Sequence, residues 1–237
     1  MPDAITSWFW SGDVIRSRRV SDIVLSGVVE VPQPSARLLA DWEREIASNM
    51  VLEAGDVDTL PLPRARVRWP DYSRCVEAMS DWTGSLGLSG VLAESDVALM
   101  ACRGARYHHD GAQYGNAAFC NLFVSEDKGL DLHFASLDLR IPLTRGTAVV
   151  FDTGQPHGVI RRGASGFDAA DFIPAHDLVQ IFLTWELAIE DPRVTRTLGI
   201  RFDIGDSASA PAEEEHIRVN GEAAVLCPAS GRWQRPT

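Results

Sequence analysis

Two histidines and an aspartate are the residues in this chain whose types and spacing can do chemistry. Tyr107-His108-His109-Asp110-Gly111 contains a His-x-Asp pair, and Gln155-Pro156-His157-Gly158-Val159 supplies another histidine far downstream. Two imidazoles and one carboxylate can cap one face of a divalent metal, Fe(II) above all, and leave the opposite positions open to exogenous ligands. Mn, Co, Ni and Zn accept the same donors, so His108, Asp110 and His157 predict a metal centre without naming the metal. A lone His-x-Asp is short enough to arise by chance. His157, placed after a β-branched run and a turn, is what gives the pair weight.

Such a centre needs a frame that returns the chain to residues 108–110 at residue 157. From about Asp96 to Leu187 short apolar runs alternate with turn signals. The runs are 97–102, 119–124, 130–142 (in one piece or two), 147–151, 159–160 and 178–187. Short strands at this spacing predict a sandwich or barrel. Residues i and i+2 of a strand share a face, so His108 and Asp110 are expected to project together while His109 turns away. Thr153-Gly154-Gln155-Pro156 reads as a turn, with His157 opening the next strand.

Ahead of this core, residues 23–31 read as a strand. A helix follows, with Ser35 as N-cap and Leu38, Leu39, Trp42, Ile46 and Met50 on one face. A second helix over 71–86 carries Cys75, Met79, Trp82 and Leu86 on a stripe. The fold class is α+β: an N-terminal strand and helices (1–95), a β core (96–187) and a C-terminal extension (188–237), in one structural domain. Residues 205–215 are small and acidic and read as a linker. Asn220-Gly221 marks the turn of a last hairpin over 217–227. Trp8-Phe9-Trp10 is an aromatic patch that either packs on the core or forms an interface.

The net charge of −11 argues against a protein that tracks nucleic-acid phosphates. A small molecule or peptide is the expected substrate, although Arg103, Arg106, Arg161 and Arg162 are candidates for a local basic patch. No apolar run approaches the ~20 residues needed to span a bilayer. The first residues lack the order of a secretory signal, which leads us to expect a cytoplasmic protein with no membrane role. Cys75, Cys102, Cys120 and Cys227 show no metal or disulfide spacing. Oligomeric state is left open.

The segments Gly104-Ala105-Arg106-Tyr107-His108-His109-Asp110, Asn121-Leu122-Phe123-Val124 and Gly146 to Asp152 running on to Pro156-His157-Gly158-Val159 resemble the iron(II)- and 2-oxoglutarate-dependent dioxygenases. The resemblance covers residues 96–187 and implies a double-stranded β-helix (jelly-roll) core with flanking N-terminal helices. It implies Fe(II) held by His108, Asp110 and His157, with 2-oxoglutarate as co-substrate. The implied activity is hydroxylation of a small molecule or a peptidyl side chain. That family usually anchors the distal carboxylate of 2-oxoglutarate with a basic residue on the strand after the second histidine, and residues 178–187 contain none. Arg161, which shares strand parity with His157, is therefore the expected clamp, with Arg162 and then Arg140 behind it. Tyr107, Tyr114 and Asn121 are further candidate contacts, and His133 either lines the cavity or is a satisfied strand residue. His109, His176 and His216 carry no signal of their own.

The missing basic residue keeps a second reading open, a cupin-like dioxygenase or isomerase that does not use 2-oxoglutarate. Against it stands the His-x-Asp spelling, where cupins usually supply His-x-His. A non-catalytic jelly-roll binding protein is a third reading, opposed by the complete ligand set. No segment carries a recognisable code for the substrate.

Overall fold

The structure, a computed structural model, describes residues 4–61, 67–173, 177–204 and 217–236. The chain opens with a hairpin of β1 (Ile5–Ser11) and β2 (Val14–Arg19), followed by β3 (Leu25–Val28). Helix α1 (Ala36–Asn49) begins where Ser35 Oγ accepts the Leu38 N–H, the N-cap expected from the sequence. β4 (Val57–Leu60) and helix α2 (Tyr72–Ser85) lead to the core. Its eight strands are β5 (Asp96–Cys102), β6 (Ala105–His108), β7 (Ala117–Phe123), β8 (Leu130–Phe134), β9 (Leu139–Pro142), β10 (Thr147–Asp152), β11 (His157–Arg161) and β12 (Gln180–Ala188). After them come α3 (Pro192–Leu198), β13 (Arg201–Phe202), β14 (Ile217–Val219), β15 (Glu222–Ala223), β16 (Val225–Leu226) and β17 (Trp233–Gln234).

All strand pairs are antiparallel. A six-stranded sheet runs β3-β10-β7-β12-β5-β4, and a four-stranded sheet runs β6-β11-β8-β9. Strand alternation gives the larger sheet two different faces. Ala118, Cys120 and Leu122 of β7 and Ile181, Leu183, Trp185 and Leu187 of β12 pack with Leu38 and Trp42 of α1 and Cys75 and Met79 of α2. On the other face Phe123, Val149, Phe151 and Phe182 meet Leu130, Leu132 and Phe134 of β8 and Val159 of β11. The molecule is thus layered: helices, large sheet, small sheet. Gly146, at φ 89, turns the chain into β10, and a Cβ there would lie 2.2 Å from the Val29 carbonyl oxygen.

Some elements differ from expectation. The strand expected over 23–31 shortens to β3, and the hairpin over 217–227 ends at β15 before a second hairpin, β16–β17, that the sequence reading lacks. The Asn220-Gly221 turn forms with both residues at positive φ (54 and 84), the geometry a two-residue hairpin needs. The aromatic patch belongs to β1, with Trp8 and Phe9 buried and Trp10 exposed. Both chain ends share one sheet, of order β13-β2-β1-β14-β15, so the two flanking segments fold together. The linker expected at 205–215 and His176 and His216 lie outside the described residues. Among the described residues no helix is long and apolar enough to cross a membrane.

Candidate metal centre

β6 and β11 pair so that His108 stands directly opposite His157, while Ala105 stands opposite Val159. Arg106 and Tyr107 on β6 therefore stand against Gly158 alone on β11, and this bulge breaks the alternation of faces. Ala105 and His108 consequently share the inner face, and Tyr107 is turned to the outside of the small sheet. Gly158 makes room for this, since a Cβ there would meet the Tyr107 ring at 3.1 Å. β6 ends at His108, so Asp110 is not placed by strand parity as the sequence suggested. Its backbone N–H instead donates to the Thr153 carbonyl at 2.8 Å, pinning it to the turn that precedes His157.

The result is one cluster: a ligand atom from each of His108, Asp110 and His157 lies within 4.8 Å of the other two. His108 Nε2 is 3.6 Å from Asp110 Oδ1, and His157 Nε2 is 3.6 Å from Asp110 Oδ2. His108 Nδ1–H donates to the Arg106 carbonyl at 2.7 Å and His157 Nδ1–H to the Gln155 carbonyl at 3.0 Å. These bonds place the neutral rings in the tautomer whose bare Nε2 points at the aspartate, as metal binding requires. Burial and the neighbouring His108 hold His157 well below the usual imidazole range, and burial pushes the Asp110 carboxyl up. Asp110 Oδ2 is buried without a hydrogen-bond partner. A buried carboxylate whose two oxygens each face an imidazole lone pair is costly unless a cation joins them, so the donor set fits a divalent metal.

A buried ion pair sets this arrangement from outside the β core. Arg18 of β2 and Asp152 at the end of β10 are both fully buried and bonded to each other. Asp152 also accepts the Ser21 N–H and, through Oδ1, the Gly154 N–H, each at 2.8 Å. Arg18 Nε donates to the Gly115 carbonyl at 2.9 Å, and Thr153 Oγ1 donates to the carbonyls of Tyr114 (2.7 Å) and Ala117 (2.8 Å). The loop after Asp110 and the turn before His157 are thereby stitched into one unit. The sequence reading missed Arg18, which stands in a run of exposed-looking charges far from its partner.

The remaining candidates divide by face. Asn121 lies on the inner face of the large sheet beside Thr184, buried, with Oδ1 lacking a partner. Arg161 has the parity of His157 but sits two inward positions deeper, past Val159, where Nη1 lies 3.4 Å from the Lys128 carbonyl oxygen. Arg162 is turned to the outer face, where Asp127 and Asp131 grip it at 2.9 Å each. Tyr107 is also outside: its hydroxyl bonds His133 Nδ1 beneath the C-terminal hairpin. Arg162 and Tyr107 therefore stand away from the inter-sheet space in which a co-substrate was expected to meet them. Arg140 donates to the Ala164 carbonyl, and the His109 ring lies tilted beside that of Trp233, with centroids 5.8 Å apart.

No family model matches the chain, and no curated protein matches it. Among solved structures it is similar to a prolyl-4-hydroxylase of Pseudomonas putida (17% identity, TM-score 0.40, covering 70% of this chain and 92% of that one). It is also similar to EvdO2 of Micromonospora carbonacea var. aurantiaca (12%, 0.42, 72% and 90%). A third likeness is the viral collagen prolyl hydroxylase of Paramecium bursaria Chlorella virus-1, solved with 2-oxoglutarate (9%, 0.41, 70% and 96%). At these identities the function has to be read from the chain's own residues.

Proposed function

We propose that this chain is a mononuclear non-haem iron(II) oxygenase that hydroxylates a small molecule or a peptidyl side chain with 2-oxoglutarate as co-substrate. The observation that carries the reading is the pair of Nδ1–H bonds to backbone carbonyls, which aims both Nε2 lone pairs at Asp110. We read the strand order as a double-stranded β-helix, because β5 to β12 distribute between two facing sheets as β10-β7-β12-β5 and β6-β11-β8-β9. His108, Asp110 and His157 would hold the metal. Iron(II) with 2-oxoglutarate supplies oxygen activation for C–H oxidation. The chain supplies orientation and a dry interior, walled by Phe151, whose ring lies 4.8 Å from that of His157, and by Phe134 at 6.0 Å. Asn121 and Thr184 form a polar layer on β7 and β12, one inward position deeper than the Phe151 layer. In this reading they would meet the co-substrate, and Arg161, on the inner face of β11 past Val159, would pair with its distal carboxylate.

One observation favours a second reading. The inner-face positions of β7, β10 and β12 carry no lysine or arginine. An oxygenase or isomerase that does not use 2-oxoglutarate needs none. Anaerobic titration of the Fe(II)-loaded protein with 2-oxoglutarate separates the two. A weak visible charge-transfer band that vanishes in His157→Ala is expected; stoichiometric iron without a band selects the second reading.

A further inference from the structure

We propose that the substrate presents an organic cation, an ammonium or guanidinium group, to Glu186 at the mouth of the candidate metal centre. This rests on reading His108, Asp110 and His157 as that centre.

The placement follows from the sheet register. Glu186 of β12 stands opposite Phe119 of β7, and Phe119 stands opposite Phe151 of β10, so the three share one cross-strand row on the inner face. Phe151 in turn contacts His157. Glu186 therefore lies in the layer of the metal ligands, two strand spacings or about 10 Å from Phe151. Tyr114, in the loop after Asp110, packs edge-on against Phe119 with ring centroids 5.1 Å apart. Burial first, and then the charges of Glu186 and Asp110, push its hydroxyl up. Two aromatic rings thus lie between one carboxylate and the triad, a lining that attracts cations by ring quadrupole and charge together.

The local charges are out of balance. Glu186 is half-buried, and it has neither a hydrogen bond nor an ion pair among the described residues. Across the strand it faces a second carboxylate, Asp96. Both line a cavity of about 280 Å³ together with Glu94 and Asp191. Arg193 pairs with Glu94 and Asp191, which leaves Glu186 and Asp96 without a paired cation among the described residues. Burial and Asp96 push the Glu186 carboxyl up, the response of an acid that lacks a counter-ion.

An independent observation lies one layer deeper. Asn121 is only 6% exposed, and its Oδ1 has no partner. A co-substrate carboxylate is acceptor-only and can satisfy the Nδ2 side alone, so Oδ1 calls for a hydrogen-bond donor from another group. An ammonium or guanidinium lying across the Glu186–Phe119 row supplies one. A neutral, apolar substrate would leave both groups unmatched.

The test uses the full chain loaded with Mn(II) and calorimetric titration of defined probes. These are Nα-acetyl-L-lysine methylamide, Nα-acetyl-L-arginine methylamide, cadaverine and agmatine, set against the neutral norleucine and citrulline methylamides. At least one cation is expected to bind about tenfold or more tightly than its neutral counterpart. Glu186→Gln is expected to erase that preference while leaving Mn(II) affinity and melting temperature in place. Equal binding of neutral probes, an unchanged preference in Glu186→Gln, or no binding of any cation overturns the proposal. If Mn(II) itself does not bind, the metal reading falls, and the same titrations on the metal-free chain still decide the cation preference.

Discussion

The strands β7 and β12 present two faces built from one backbone, and the faces obey different rules. Toward the helices stand Ala118, Cys120, Leu122, Leu183, Trp185 and Leu187, all apolar and all buried. Toward the small sheet the same strands carry Asn121, Thr184, Gln180 and Glu186 among their phenylalanines. Two of those polar groups, Asn121 Oδ1 and Gln180 Oε1, are buried without partners. A polar group left unmatched in an interior costs about 1–3 kcal/mol, which selection for stability alone would remove. One face holds the fold together, and the other keeps chemistry available.

Substitutions on the two faces should separate these roles. The largest effect is expected on the ligand side: His157→Ala should weaken divalent-metal binding by more than about 100-fold, since even residues behind the ligands contribute 10–100-fold. Its circular dichroism should stay that of the parent chain. On the helix side Trp185→Ala opens a cavity in the core and should cost about 3–5 kcal/mol by chemical denaturation, with metal affinity per folded molecule unchanged. Arg18→Met tests whether the faces are joined. It leaves Asp152 buried and unpaired, so a loss of about 3–5 kcal/mol is expected. Unlike Trp185→Ala, it should also weaken metal binding, because Asp152 orders the turn before His157 and Arg18 holds the loop after Asp110. Smallest is Asn121→Leu, which removes an unmatched group: stability within about 1 kcal/mol of the parent or above it, with weaker binding of 2-oxoglutarate.

The apolar face was readable in the sequence because burial leaves a period, two in β12 and near 3.6 in α1. The triad was readable because His-x-Asp and a distant histidine are rare in that order and setting, and the structure brings His108, Asp110 and His157 together. Asp110 was expected for the wrong reason. Parity suggested that it shares a strand with His108, whereas a β-bulge and a backbone hydrogen bond to Thr153 place it. The same bulge moved Tyr107 to the outer face, and no residue type announces a bulge there. Arg18 and Asp152 were invisible as a pair, because ion pairing between distant strands leaves no local pattern. The N-terminal hairpin and the C-terminal strands were hidden for the same reason, since each completes its sheet only with the other.

The most direct test of the central claim is anaerobic equilibrium dialysis of Fe(II) against the parent chain and against His108→Ala, Asp110→Ala and His157→Ala. One ion per chain, lost in all three variants, is the predicted result. No stoichiometric ion in the parent, or the same occupancy in the variants, would contradict the assignment of these three residues to a metal centre.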